Sequence, residues 1–146
     1  MFIKHLTKEQ ALQKLKHYCG YQERCHSEVK EKLWQLKVNR NDHDEIIANL
    51  IEEDYLNEER FAIQFAGGKY RIKQWGRVKI KYELKQRMVS DYSIKKALKQ
   101  IDEKDYIKTL NKLAEKRYAS LKDEQWIVRK KKTMDYLWQK GYEGSW

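Results

Sequence analysis

The stretch from Lys69 to Arg87 holds the densest chemistry in the chain. It carries eight basic residues, Lys69, Arg71, Lys73, Arg77, Lys79, Lys81, Lys85 and Arg87, against one acid, Glu83. Tyr70, Trp75 and Tyr82 are interleaved with them. Cations at this density attract polyanions, and rings among them offer faces on which bases stack. Together with Trp75, the eight cations form the candidate set for binding a partner or nucleic acid. On a helix, Arg77, Lys81 and Lys85 fall at i, i+4 and i+8 and make one stripe. Like charges at that spacing weaken an isolated helix, which favours a binding use over a merely solubilising face. Ile80, Leu84 and Met88 are expected on one flank of the stripe, and Val78, Tyr82 and Val89 on the other. Trp75 has two readings. It is either a corner-packing aromatic, with Gly76 permitting close approach, or a stacking platform.

The charge of the whole chain has the same centre. Residues 1–66 hold 10 Lys/Arg and 12 Asp/Glu, a net of −2. Residues 67–104 hold 12 and 4, a net of +8, and residues 105–146 hold 10 and 6, a net of +4. A polyanionic partner is implied, with nucleic acid the leading candidate.

Other chemistries find less support. His17, Cys19, Cys25 and His26 lie close in sequence, but the Cys-x5-Cys spacing fits no common zinc pattern, so free thiols are expected. The chain shows no Gly-rich phosphate loop and no nucleophile beside a base, and Glu53 and Asp54 read as helix-end residues. A non-enzymatic protein without cofactor or metal is expected. No run approaches the roughly 18 apolar residues of a membrane span, and Met1 to Leu6 is too short and polar for a secretory signal. A soluble, cytoplasmic chain without a membrane partner is expected, and nothing in the sequence points beyond a monomer.

The elements that must position these residues are helices. Pro is absent, and Leu, Lys, Glu, Gln and Ala dominate, so the class is all-α. Thr7-x-x-Gln10 has the form of a capping box, and Gly20 is expected to stop the first helix. A second helix begins near Ser27, and a third is expected to start at Asp42-x-x-Glu45 with Ile46, Ile47, Leu50 and Ile51 inward. Asn57 and Ser90 are candidate caps of the fourth and sixth helices. Phe61, Ala62, Phe65 and Ile72 are expected on the buried side of the fourth helix. Arg77 to Met88 should form the fifth. An eighth helix is expected to bury Trp126, Ile127, Met134 and Leu137.

The pattern repeats. Leu33-Trp34-Gln35-Leu36-Lys37-Val38 returns as Leu84-Lys85-Gln86-Arg87-Met88-Val89 after 51 residues, and as Leu137-Trp138-Gln139-Lys140-Gly141-Tyr142 after a further 53. Asp54-Tyr55 and Asp105-Tyr106 share the 51-residue offset. Tandem three-helix, helix-turn-helix-like units are implied, each too small for a good core alone. The units are 1–56, the basic 57–105 and 106–146. They should form an elongated, curved array whose third repeat lacks its last helix.

Asp54-Tyr55-Leu56-Asn57-Glu58-Glu59-Arg60-Phe61-Ala62 resembles the "YL-(D/N)-(D/E)-x-RFA" segment of the RecX regulators of the RecA recombinase. Trp75-Gly76-Arg77-x-Lys79-Ile80-x-x-Glu83-Leu84 is similar to that family's "G-x-x-K-I-x-x-E-L" helix. Ala11-Leu12-x-x-Leu15, then Ser27-Glu28-Val29 and Leu33, resembles its opening pattern, with Glu28 displaced by one position. The resemblance implies a non-enzymatic regulator that lies in the groove of RecA filaments and inhibits recombination, ATP hydrolysis and filament growth. Single- or double-stranded DNA is implied as a further partner. It also implies structural roles for Tyr55, Leu56, Arg60, Phe61, Gly76, Ile80, Glu83 and Leu84. Phe61, Ile80 and Leu84 are expected in the core, with Arg60 and Glu83 orienting helices by ion pairing or capping. Two departures stand out. Family chains commonly continue past a position like Gly141-Tyr142, so ending at Ser145-Trp146 marks a shortened chain or a lineage variant. Met88 stands where a helix-ending Gly is common, which leaves that turn's geometry open.

Overall fold

Side-chain caps decide where most of the helices begin. In the computed structural model, which describes residues 6–144, the Thr7 box closes as its sequence requires. Thr7 Oγ1 accepts from Gln10 N at 3.1 Å, and Gln10 Oε1 accepts from Thr7 N at 3.0 Å. Eight helices are present among the described residues: α1 Lys8–Tyr21, α2 His26–Gln35, α3 Arg40–Glu52, α4 Glu58–Lys73, α5 Arg77–Gln86, α6 Asp91–Lys99, α7 Glu103–Ser120 and α8 Trp126–Lys140. Asn57 and Ser90 cap α4 and α6 as expected, each accepting a backbone N–H three residues on. The hexapeptide compared with a secretory signal (apart from Leu6) and the Ser145-Trp146 end lie outside the described residues.

Three boundaries differ from expectation. Gly20 lies inside α1, which runs on to Tyr21, because helical glycine adopts the same backbone as its neighbours. Cys25, not Ser27, is the N-cap of α2, and Glu28 reaches back to its N–H at 3.0 Å. Asn39 caps α3 ahead of Asp42, because its Oδ1 accepts from Asn41 N at 3.0 Å. Glu45 is thereby free to pair with Lys8 at 2.8 Å.

The repeated hexapeptide is a helix C-cap. At the end of α2, α5 and α8 the fifth residue takes the left-handed conformation, with φ of 56° at Lys37, 62° at Met88 and 97° at Gly141. The sixth residue then donates back to the Leu carbonyl: Val38 to Leu33 at 3.1 Å, Val89 to Leu84 at 3.1 Å and Tyr142 to Leu137 at 3.0 Å. The fifth donates to the second, Lys37 to Trp34, Met88 to Lys85 and Gly141 to Trp138. This paired bonding is the Schellman motif, and the Leu and the sixth residue are its apolar contact. All six are buried. Met88 thus reproduces the turn that Gly141 makes, at the strain a non-glycine side chain carries there.

Two cores result. Ala11, Leu15, Cys19, Val29, Leu33, Val38, Ile46, Leu50 and Leu56 close the first within α1–α3. The second joins α4–α6 to α7 and α8, with Phe61, Ile80 and Leu84 meeting Tyr106, Leu110, Leu137 and Tyr142. Cys25 is the residue of the first unit lodged in it. The second and third units therefore share a core, while the first is largely self-contained. Several residues expected inside are not. On α4 the buried line is Phe61, Ala62, Ala66 and Tyr70, so Ile72, half a turn beyond Tyr70, is 81% exposed. On α3 His43 takes the place expected for Ile51, its ring bonded to Val38 O at 2.9 Å. Trp126 and Ile127 occupy a first turn of α8 that extends past its packing residues, so both are exposed.

The units join through helix ends. Gly76 N donates to Lys140 O at 2.7 Å and Val78 N to Gly141 O at 2.9 Å, so the C-terminus of α8 plugs the N-terminus of α5. The opposed ends carry complementary partial charges. Between the first two units the same ends meet more loosely. Ser27, 51 residues before Val78, donates its hydroxyl to Arg87 O at 3.1 Å.

Candidate partner-binding surface on the second unit

The plug at the start of α5 decides the fate of Arg77. Its guanidinium lies over the Tyr106 ring at 3.9 Å and bridges Glu103 at 2.8 Å and Glu143 at 2.8 Å. Tyr106 Oη accepts from Arg77 N at 3.0 Å and donates to Glu143. Burial alone would lower the Arg77 pKa, but its bonds to Glu103 and Tyr106 and the Glu143 charge outweigh this and raise it. Burial and the Glu143 bond push the Tyr106 phenol above its ordinary range. Arg77 is a clamp between the second and third units, not the head of an open stripe.

Other cations of the run are also engaged. Arg87 donates to Glu83 Oε2 at 3.0 Å and to Glu83 O at 2.9 Å, and lies 4.7 Å from the Phe65 ring. Trp75 is half-buried against the second core, edge-on to Phe65 at 6.4 Å. The ammonium groups of Lys69 and Lys79 lie over its ring at 5.1 and 4.7 Å. This is the geometry of a corner residue. Arg71 and Lys73 are exposed at the end of α4, with the Arg71 guanidinium folded back over Gly67. Lys73 O accepts from Lys140 Nζ at 2.9 Å.

The flanks of the stripe are not alike. Ile80 and Leu84 are fully buried, but Val78, Tyr82 and Met88 are exposed. Helix α5 packs on one side only, because α6 and the shared core lie there. At the edge of that packed side Lys81 and Lys85 face a cleft against α6, which Lys95, Asp91, Ile94 and Leu98 complete. A neighbouring cleft continues past Lys95 to Lys99 and Arg77, where Asp102 and Glu103 also line it. Lys85 stands 3.6 Å from Asp91, whereas Lys81, Lys95 and Lys99 have no ion-pair partner among the described residues. The geometry thus gathers Lys81 and Lys85 with Lys95 and Lys99, two residues outside the initial set. Their i, i+4 spacing on α6 was the available signal. Lys69 and Lys79 instead gather around Trp75.

The motif residues divide cleanly. Leu56, Phe61, Ile80 and Leu84 are core. Arg60 holds Glu23 of the α1–α2 turn at 2.5 Å and Asp54 at 2.9 Å, tying α4 back to the first unit. Tyr55 is partly exposed and donates its N–H to Leu50 O at 2.8 Å. Glu83 pairs with Arg87 at 3.0 Å. Gly76 is buried against the end of α8, where a Cβ would lie 2.4 Å from the Gly141 carbonyl carbon. Among the described residues, no three His, Cys, Asp or Glu side chains are placed to hold a metal, and no helix is long and apolar enough to cross a membrane.

Helix ends docked unit upon unit, with a lysine-lined groove on the middle one, define a tandem three-helix protein. Residues 57–98 match the family model described as the RecX second three-helix domain, and residues 103–145 match the third. A regulatory protein RecX of Leuconostoc mesenteroides is 31% identical over 115 residues, which is 79% of this chain and 43% of the relative. One of Bacillus cytotoxicus is 26% identical over 125 residues, 86% of this chain and 46% of the relative. The chain belongs to the RecX family. It spans less than half the length of these curated relatives. In fold it resembles the crystal structure of RecX from Lactobacillus salivarius, with a TM-score of 0.85 and 24% identity over 93% of this chain and 88% of that one. A second RecX crystal structure superposes with a TM-score of 0.87 at 21% identity, covering 94% of this chain and 69% of that one.

Proposed function

We propose that this chain binds RecA nucleoprotein filaments and restrains them, inhibiting ATP hydrolysis, recombination and filament growth in DNA repair. The observation that supports this most is the groove between α5 and α6. Lys81 and Lys95 stand there without internal ion pairs, with Lys99 in the adjoining cleft, inside a segment of net charge +8. Electrostatic attraction brings such a surface to a polyanion or to acidic protein, and the docked array supplies a long face for register along a filament. The basic groove is the contact, and Phe61, Ile80 and Leu84 hold it in place from the shared core.

The test is RecA-driven, DNA-dependent ATP hydrolysis titrated with the wild-type chain. Inhibition that outlasts an excess of unassembled competitor DNA is the expected result. Inhibition abolished by that competitor would instead mark a DNA-binding protein without a recombinase partner.

A further inference from the structure

The first unit, residues 1–56, has a net charge of −1, yet one cleft on it is lined without a single carboxylate. The cleft lies between α1 and α2, has a volume of about 520 Å³, and is walled by Lys14, His17, Tyr18, Tyr21, Arg24 and Lys32. Lys14, His17, Tyr18 and Tyr21 fall at i, i+3, i+4 and i+7 and so share one face of α1. Lys32 and Leu36 face them from α2 at i and i+4.

The nearby acids are turned elsewhere. Glu23 is held by Arg60, and Glu28 caps the Cys25 N–H with one oxygen while the other stands 4.0 Å from Arg24. Lys14 and Lys32 have no ion pair among the described residues. The rings are set among cations: Arg24 lies 3.7 Å from the Tyr18 centroid, and Lys32 is 5.2 Å from it. Tyr21, at the mouth, is 79% exposed. An open ring at the rim, unpaired ammonium groups on both walls and an apolar residue behind them match a ligand that carries flat rings and spaced negative charges.

We propose that the α1–α2 cleft is a binding site for a short segment of single-stranded nucleic acid, separate from the α5–α6 groove. A base stacks on Tyr21, and the flanking phosphates meet Lys14 and Lys32. A peptide of Asp and Glu alone supplies the charges but no flat ring to stack on Tyr21. The site does not depend on a recombinase partner, so a bare oligonucleotide tests it.

The experiment uses the full chain and a fluorescein-labelled oligo-dT in anisotropy titrations across a salt series. Tyr21→Ala is expected to weaken binding about five- to a hundredfold, the usual range for one stacked base, and Tyr21→Phe to restore it. Lys14→Glu/Lys32→Glu is expected to weaken binding and flatten the salt slope by roughly 1.4, for two lost phosphate contacts. Lys30→Glu/Arg40→Glu makes the same charge change outside the cleft and should leave the slope nearly intact. Photocrosslinking of a halouracil oligonucleotide to the wild-type chain supplies a readout that needs no variant, with adducts expected on the 14–36 segment. Adducts confined to α4–α6 would overturn the proposal. So would equal losses in the two double variants, or displacement of the oligonucleotide by poly-glutamate as readily as by unlabelled strand.

Discussion

Replacing Gly76 by Ala adds one methyl group at the tightest point between the second and third units. An ideal Cβ there would lie 2.4 Å from the Gly141 carbonyl carbon and oxygen and 2.5 Å from Tyr142 N. All three are backbone atoms, so no side chain can swing aside, and ordinary contact needs about 3.5 Å or more. The end of α8 must withdraw by about 1 Å. Withdrawal breaks Gly76 N to Lys140 O and Val78 N to Gly141 O, each worth about 1 kcal/mol net. It also loosens Tyr142, which is 2% exposed, from the shared core, for about 1 kcal/mol more. The expected loss is about 3 kcal/mol, or roughly 10 °C in Tm for a chain of this size. Thermal melts followed by circular dichroism measure it, with Gly68→Ala as the control. Gly68 lies inside α4 with nothing within 4 Å of its Cβ position, so alanine there should stabilise by about 0.5–1 kcal/mol. Equal melting of Gly76→Ala and the wild type would refute the docking of α8 on α5.

The same turns and pairs yield further expectations. Met88→Gly should raise stability by about 1 kcal/mol in urea titrations, because Met88 sits at a φ of 62° and is 78% exposed, so little packing is lost. Burial pushes the Glu58 carboxyl up, but hydrogen bonds from the Ser90 hydroxyl and N–H outweigh it and hold its pKa below 4.5. A carboxylate lowered on folding adds stability at neutral pH and loses it as pH falls from about 4.5 through its folded value. Glu58→Gln should therefore flatten that limb of an acid titration of Tm. Burial pushes the Cys19 thiol up to about 11 and raises that of Cys25, so neither should react with a disulfide reagent at pH 8 until the chain is unfolded.

Much of the fold was legible because it is written in local chemistry. The Thr7 box, the Asn57 and Ser90 caps and the repeated Leu hexapeptide each need only a few neighbouring residues, and each forms as expected. What the hexapeptide does, closing a Schellman turn that then docks on the preceding unit, was not legible. It depends on which helix end lies opposite, a tertiary fact. Ile51 and Ile72 show the limit of hydropathy, since an apolar letter near a buried stripe sits a third or half a turn away from it, and Trp126 lies on the right face but a turn beyond anything to pack on. The candidate surface was visible as a charge density but not as a geometry. Arg77 and Arg87 count among the cations of the run, yet Glu103 and Glu143 hold the first and Glu83 the second. Two of the acids involved, Glu103 and Glu143, are 26 and 66 residues from Arg77 in sequence. Lys95 belongs to the groove, and Lys99 to the cleft beside it, through the packing of α6 on α5, which no spacing within α5 reveals.

The central claim is that the α5–α6 groove brings this chain to an assembled RecA filament. Co-sedimentation with RecA filaments on single-stranded DNA, at a fixed salt concentration, tests it directly. The wild-type chain is expected to pellet with filaments and not with RecA alone. The folded triple variant Lys81→Glu/Lys85→Glu/Lys95→Glu is expected to stay in the supernatant. Pelleting of that variant to the wild-type extent would contradict the account.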